Sequence, residues 1–331
     1  MGSLRERRAL LAAASATVGL GPLLFARHAR AQAWPSKPIR ILVGFPPGGL
    51  TDAYARMYAE QLSAKVGQSV VVENRPGAGA IIAIDAVAKS PPDGYTLLFT
   101  TSGSVWQNRV LYRKLPFDAD RDLTPISLFP SGPLVMGVPA TLAVRTMREW
   151  IDYARKNPTS MGTYAAASVP HMVADQVNRA YGTKIESIHY KGESPMWVDV
   201  ASGQVQGAIG SYQAFAAMQA KGLVRAIAVT GPTRSPKLPD TPTLLEQGMD
   251  QPLFKLDGWL PLLAPAGTPP EIVARLSAAA IEGAETPKSA QLRDNFAIPT
   301  KPTTLDETRR RWRDESAVWI KLADDLGIKL D

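Results

Sequence analysis

Apolar residues in this chain gather in short unbroken runs that alternate with longer segments of helical spacing. Ile39-Arg40-Ile41-Leu42-Val43 reads as a buried strand. Phe45-Pro46-Pro47-Gly48-Gly49 breaks it, and Thr51-Asp52 opens an amphipathic helix through Leu62, with Ala55, Met57, Tyr58 and Leu62 among its apolar positions. Ser69 to Glu73 is a second strand. Asn74-Arg75-Pro76-Gly77-Ala78-Gly79 is a loop, followed by an Ala/Ile-rich helix to Ala88. After the turn Pro91-Pro92-Asp93-Gly94, Tyr95 to Thr100 forms a third strand. Strands that alternate with helices predict a parallel, doubly wound sheet.

A second series follows. Ile126 to Val138 reads as an extended crossing segment, Met147 to Lys156 as a helix, and Gly162 to Ala165 as a strand. His171 to Tyr181 is a helix, Ile185 to Tyr190 a strand, and Lys191 to Pro195 a loop before a helix to about Ala201. Ala208-Ile209 and Arg225 to Val229 are further strands, and Gly231 to Pro242 is a loop. Gly258 to Ala264 returns as a strand, and helices over Glu271 to Glu282 and Asp306 to Leu326 close the chain. The halves echo each other weakly. Val43 to Asp52 in one and His189 to Pro195 in the other each give a strand, a Gly/Pro loop and a helix start.

The N-terminus departs from this pattern. Met1 to Arg8 is basic, Ala9 to Phe25 is apolar, and Ala31-Gln32-Ala33 is a small-x-small cleavage site. Residues 1–33 are therefore expected to be an export signal, with Trp34 as the mature N-terminus. Arg7-Arg8 before Leu10-Leu11 resembles a twin-arginine signal, although Glu6 stands where that signal prefers Ser or Thr. The general secretory route stays open beside it. Later apolar runs are too short to span a bilayer, so a soluble periplasmic protein is expected.

Charge narrows the function. The formal net charge is +7, but residues 1–33 hold five arginines against one acid. Without them 32 basic face 29 acidic residues, too even for phosphate-driven nucleic-acid binding. The chain has no cysteine, which excludes disulfides and thiolate chemistry. Beyond the signal only His171 and His189 remain, far apart in sequence, so no metal site is expected. No Gly-x-Ser-x-Gly elbow, Walker loop or complete dinucleotide fingerprint occurs, so neither catalysis nor a cofactor is expected. Ser168 and His171 are the one imaginable nucleophile pair.

The loops carry the positive signal. A helix N-terminus leaves amides unpaired and partly positive, and glycine lets a ligand approach backbone. Ligands of α/β sheets collect beyond the carboxyl ends of strands. Two such loops can hold the ends of a dicarboxylate, or the carboxylate and polar tail of another acid. Each is equally readable as a plain strand-to-helix turn, with Asp52 as a cap.

The motifs together resemble the Bug family, the substrate-binding proteins of tripartite tricarboxylate transporters. The resemblance rests on Pro38-Ile39-Arg40-Ile41-Leu42-Val43, Phe45-Pro46-Pro47-Gly48-Gly49 with Asp52 and Arg56, and Val72-Glu73-Asn74-Arg75-Pro76-Gly77-Ala78-Gly79. It continues through Ala88-Lys89, Pro92-Asp93-Gly94-Tyr95-Thr96-Leu97-Leu98, Tyr190-Lys191-Gly192, Gly203-Gln204-Val205 and Ala264-Pro265-Ala266-Gly267-Thr268-Pro269. It implies an α/β, two-lobed Venus-flytrap fold of the periplasmic-binding-protein type, each lobe a mainly parallel sheet flanked by helices. Lobe one would be 34–129 plus 256–331, and lobe two 130–255. The implied ligand residues are Phe45, Pro47, Gly48, Gly49 and Asp52, then Thr101, Ser102 and Ser104. In lobe two they are Ala166, Ala167 and Ser168, then Tyr190, Lys191 and Gly192.

Three positions depart from the family pattern: Ala165-Ala166-Ala167-Ser168 replaces a Gly/Ser-rich run, Gln206 stands where Asp is frequent, and Leu50 replaces a small residue. They imply a less acidic, more apolar pocket, for a small carboxylate or an aromatic acid. The expected partners are transmembrane transporter subunits, with a membrane sensor as the alternative, and the expected state is a monomer. An exported hydrolase is the weaker competing reading.

Overall fold

Strand β1 (Ile39–Val43) buries four of its five residues, leaving only Arg40 exposed. Such a run needs cover on both faces, and helices supply it. β1 lies between β2 (Val70–Asn74) and β3 (Thr96–Phe99), parallel to both. The last strand, β10 (Trp259–Pro265), is wholly buried and joins β3 and β4 (Leu123–Pro130) in antiparallel register. The first sheet thus runs β2-β1-β3-β10-β4. The computed structural model describes residues 34–190 and 192–330. Those from Lys37 onward cluster as one unit, and the description concerns that unit. The expected export signal, 1–33, and Lys191 lie outside the described residues.

The second sheet repeats the order with other segments. Here β6 (Ser160–Thr163) lies between β7 (Glu186–His189) and β8 (Gly207–Ser211), parallel to both. β5 (Leu134–Pro139) pairs antiparallel with β8 and with β9 (Val224–Val229), giving β7-β6-β8-β5-β9. Each sheet is therefore mixed: a parallel trio reads as the sequence predicted, and an antiparallel pair completes it. The antiparallel fourth strand of each sheet is delivered from the other sheet, β5 following β4 and β10 following β9.

This order corrects the internal echo. The counterpart of β1 is β6, the middle strand of the second trio, not β7. The loop after Val43 therefore corresponds to Tyr164–Ser168. The expected single crossing segment over Ile126 to Val138 is two strands in different sheets, broken near Gly132, which adopts φ +76. Both strands are buried, and the Pro130-Ser131-Gly132-Pro133 turn between them is the mark in the sequence of the break.

Packing explains the remaining differences. The helix Pro287–Asn295 has almost no apolar stripe and gave no periodic signal. Thr286 caps it, and the Gln61 side chain ties that cap to the helix Leu50–Val66, donating to Thr286 Oγ1 at 2.9 Å. The helix Tyr212–Gln219, also unforeseen, starts from the Ser211 cap. The C-terminal helix Leu305–Asp324 covers β4, and Thr303 bridges Leu128 and Thr308 beneath it. Tyr54, Tyr58, Phe99 and Phe129 form the aromatic centre of the first sheet. Trp197 and Phe215 close over Gly137 in the second.

Candidate functional site

The carboxyl ends of β1, β2 and β3 converge at Gly44. A β-carbon there would lie 2.3 Å from Ala80 Cβ and 3.4 Å from Thr100 Oγ1, so only glycine admits the three loops so close. Beyond it Phe45 is half-buried, and Pro46, Pro47, Gly48 and Gly49 are exposed. Gly48 adopts φ +94, a region costly for other residues, whereas Gly49 has an ordinary extended φ of −83. Gly49 is the N-cap of the helix Leu50–Val66 and supplies no side-chain cap.

Asp52 turns inward. Its carboxylate accepts from the Gly48 amide at 3.0 Å, from Arg56 Nε at 2.9 Å and from Asn74 Nδ2 at 2.9 Å. Asn74 Nδ2 also donates to the Phe45 carbonyl at 3.0 Å. Burial alone would raise this carboxyl, but the Arg56, Asn74 and Gly48 bonds outweigh it and hold the group below its ordinary value. Asp52 thus shapes the loop from behind. Arg56 and Asn74 were visible in the sequence as motif letters, without a role.

Thr101 and Ser104 are spent on each other. Thr101 Oγ1 accepts the Ser104 amide and lies 3.0 Å from Ser104 Oγ, capping the short helix Ser102–Val105. Ser102 is buried on its first turn.

In the second sheet, Tyr164 to Ser168 follows β6. Ala166 is half-buried, and Ala167 is buried with φ +57. Ser168 Oγ donates to the Ala165 carbonyl at 2.6 Å. His171 Nδ1 accepts the Ala167 amide at 3.1 Å, so Ser168 and His171 do not form a nucleophile pair. The Tyr190 hydroxyl donates to Asp199 at 2.7 Å, on the helix Glu193–Ser202 that follows it. Gly192, at φ +105, donates its amide to the Tyr164 carbonyl and joins the two loops. Glu193, on the first turn of the helix Glu193–Ser202, accepts from the Ser211 amide at 3.1 Å and from its hydroxyl, tying in the β8 loop. Burial pushes its carboxyl up, against the pull of Ser211.

Gln206 does not belong to this edge. Its Oε1 accepts from the Ser160 amide at 2.9 Å, at the amino end of β6. The expectation that it makes a pocket less acidic is therefore corrected: it fastens the opposite end of the sheet.

Capping divides the helices without following position strictly: Thr101 and Ser211 cap helices at the same carboxyl edges, and Pro270–Gly283 starts uncapped elsewhere. The helices Met147–Lys156, Pro287–Asn295 and Leu305–Asp324 are each capped by a threonine side chain, Thr146, Thr286 and Thr304. The helices Leu50–Val66, Val169–Tyr181 and Glu193–Ser202 start at carboxyl ends of strands without any side-chain cap. Uncapped amides at the carboxyl edge of a parallel trio can accept an anion. Glu193 already places a carboxylate at the third. Among the described residues, no group of three potential metal ligands comes together.

Two mixed five-stranded sheets with helices on their faces and exchanged strands define a two-lobed periplasmic binding protein. The family described as the tripartite tricarboxylate transporter family receptor matches residues 54–328, and this chain belongs to it. BugT of Bordetella pertussis is 33% identical over 303 residues, 91% of this chain and 92% of that protein. A UPF0065 protein of Pseudomonas sp. strain P51 is 34% identical over 299 residues, 89% of this chain and 88% of that protein. Among solved structures, R. palustris Rpa4515 with adipate is 34% identical at a TM-score of 0.76, covering 89% of this chain and 99% of its own. MatC from Rhodopseudomonas palustris with bound malate is 25% identical at a TM-score of 0.71, covering 88% of this chain and 100% of its own.

Proposed function

We propose that this chain is an exported solute-binding protein that captures a small dicarboxylate between its lobes and delivers it to a tripartite tricarboxylate-type transporter. Lobe one comprises 34–129 and 256–331, lobe two 130–255. One carboxylate lies on the exposed Gly48-Gly49 loop at the N-terminus of the helix Leu50–Val66. The other lies at Ala166 to Ser168, at the N-terminus of Val169–Tyr181. The observation that carries this reading is that these two helices follow the equivalent strands β1 and β6 and both start uncapped. Glu193 and Asp52 keep their own carboxylates bonded to protein donors, so neither competes for the ligand. The alanines of 165–167 suit an apolar spacer between two acid groups. The adipate and malate held by the R. palustris relatives support the ligand class.

Binding without turnover is the expectation, and the bonding of Ser168 to the Ala165 carbonyl and of His171 to the Ala167 amide supports it. Residues 1–33 direct it to the periplasm by the twin-arginine or the secretory route, and it acts there as a monomer. The test is native mass spectrometry of freshly purified mature protein, followed by calorimetric titration with adipate, malate and benzoate. One-to-one capture of a dicarboxylate supports the reading. Binding of none of the three, with no acid carried through purification, would overturn it.

A further inference from the structure

The two histidines beyond the signal are 18 positions apart in sequence and adjacent in space, their ring centroids 4.6 Å apart at an interplanar angle of 54°. His171 lies in the first turn of the helix Val169–Tyr181, and His189 ends β7. A backbone N–H can only donate, so the Ala167 amide, 3.1 Å from His171 Nδ1, requires a lone pair there and a proton on Nε2. A protonated imidazole carries N–H on both nitrogens and has nothing left to accept with. Ala167 itself sits at φ +57, where its β-carbon is strained, so the residue needs an external hold. Behind it, His189 Nδ1 lies 2.6 Å from the Thr163 hydroxyl, which is also within reach of the Ala165 carbonyl at 3.2 Å. Both histidines thus brace the same few residues of loop.

We propose that His171 is a positioning residue of the lobe-two binding loop, and that its protonation releases Ala167 and weakens ligand binding in mildly acidic surroundings. This rests on the reading that the 166–168 loop takes a ligand carboxylate. Burial holds both imidazoles below their ordinary value, and His189 presses His171 down further. The opposing group is Asp175, one turn along the same helix, whose charge is shared with Arg179 at 2.8 Å. The loop is therefore braced at neutral pH and released as pH falls.

The experiment pairs wild type with His171→Asn and His171→Ala. Asparagine Oδ1 can stand where Nδ1 stands, but it does not titrate. Adipate is titrated calorimetrically at about pH 7.5 and about pH 5, the lower point set well under the ordinary imidazole value near 6.5 because burial holds His171 below it. Wild type should lose about tenfold in affinity between the two, the equivalent of one hydrogen bond. His171→Asn should keep the neutral-pH affinity and respond much less to pH, which cancels any titration of adipate itself. His171→Ala should bind weakly at both. Affinity that rises on acidification in wild type alone would overturn the proposal, because the imidazolium would then be touching the anion directly. A second measurement needs no ligand: nitrogen-15 NMR of the imidazoles and of the Ala167 amide. The Nε2–H tautomer of His171, with an Ala167 amide that titrates alongside it, supports the positioning role. A proton on Nδ1 at neutral pH, or an Ala167 amide indifferent to His171, defeats it. If adipate binds at neither pH while the NMR coupling holds, the ligand reading has failed and the positioning role has not.

Discussion

The Asp52 carboxylate accepts the amide of Gly48, four residues earlier, at 3.0 Å. The bond closes the glycine loop onto the first turn of its own helix, with Arg56 and Asn74 holding the far side of the carboxylate. Removing the carboxylate as Asp52→Ala leaves three donors without their acceptor and should cost about 2–3 kcal/mol of folding stability. Urea denaturation of wild type and variant checks this, and an unchanged midpoint would show that the loop holds without Asp52.

The same contact sets an acid limit. The carboxyl is held below its ordinary value, so the native state binds fewer protons than the unfolded chain as pH falls through that range. Its stabilisation is complete above about pH 4 and is lost as pH drops towards the folded value. The stability difference between wild type and Asp52→Asn should therefore shrink on acidification below about pH 4. A constant difference down to pH 2.5 would show that the carboxyl is not held low.

Neighbouring glycines should respond oppositely. A β-carbon at Gly49 would have no neighbour within 4 Å, and its φ is ordinary. Gly49→Val should fold normally and lose roughly tenfold to a hundredfold in affinity for adipate, about 1.5–3 kcal/mol. Gly48→Val meets no clash but is strained at φ +94, and should cost about 1–3 kcal/mol of stability. Paired melts and titrations separate the two effects. A normally folded Gly49→Val that binds as tightly as wild type would leave the loop a mere turn.

Burial raises the Glu193 carboxyl, so the native state holds its proton longer than the unfolded chain. Stability attributable to this group is greatest below the unfolded value of about 4.3 and falls as pH rises through the folded one. Glu193→Gln should accordingly gain on wild type between about pH 4 and pH 7. Chemical denaturation across that range tests the sign.

A β-carbon at Gly137 would lie 2.7 Å from Trp197 Cζ3 and 2.9 Å from Phe215 Cε2. Gly137→Ala should therefore overpack the second sheet by about 1–3 kcal/mol. A thermal melt that matches wild type would mean that the two rings have room to move.

Export predicts a mature protein that begins at Trp34. Edman sequencing of the periplasmic product decides it, and a product still carrying Arg27 to Arg30 would refute the cleavage site.

By itself the sequence determined the parallel trios and their loops. Runs such as 39–43 and 259–265 are apolar because both faces are covered, and glycine and proline mark where strand turns to helix. It also carried enough fixed letters, from Phe45 to Gly49 and from Glu73 to Gly79, to identify the family. Periodicity reports that a residue is buried, not what covers it. Only the tertiary structure decided that β10 and β5 lie antiparallel as the fourth strand of each sheet, and that the counterpart of β1 is β6. The side-chain roles followed the same division. Asp52 reads as a helix cap until Asn74, 22 residues on, draws its carboxylate inward. Gln206 reads as a pocket residue until Ser160, 46 residues back, claims it for the opposite edge. His171 and His189 carry no mutual signal along the chain, and they meet only because β7 and the helix after β6 pack side by side. Hydrogen bonds between distant segments form after the backbone has been placed, and no local pattern in the sequence records them.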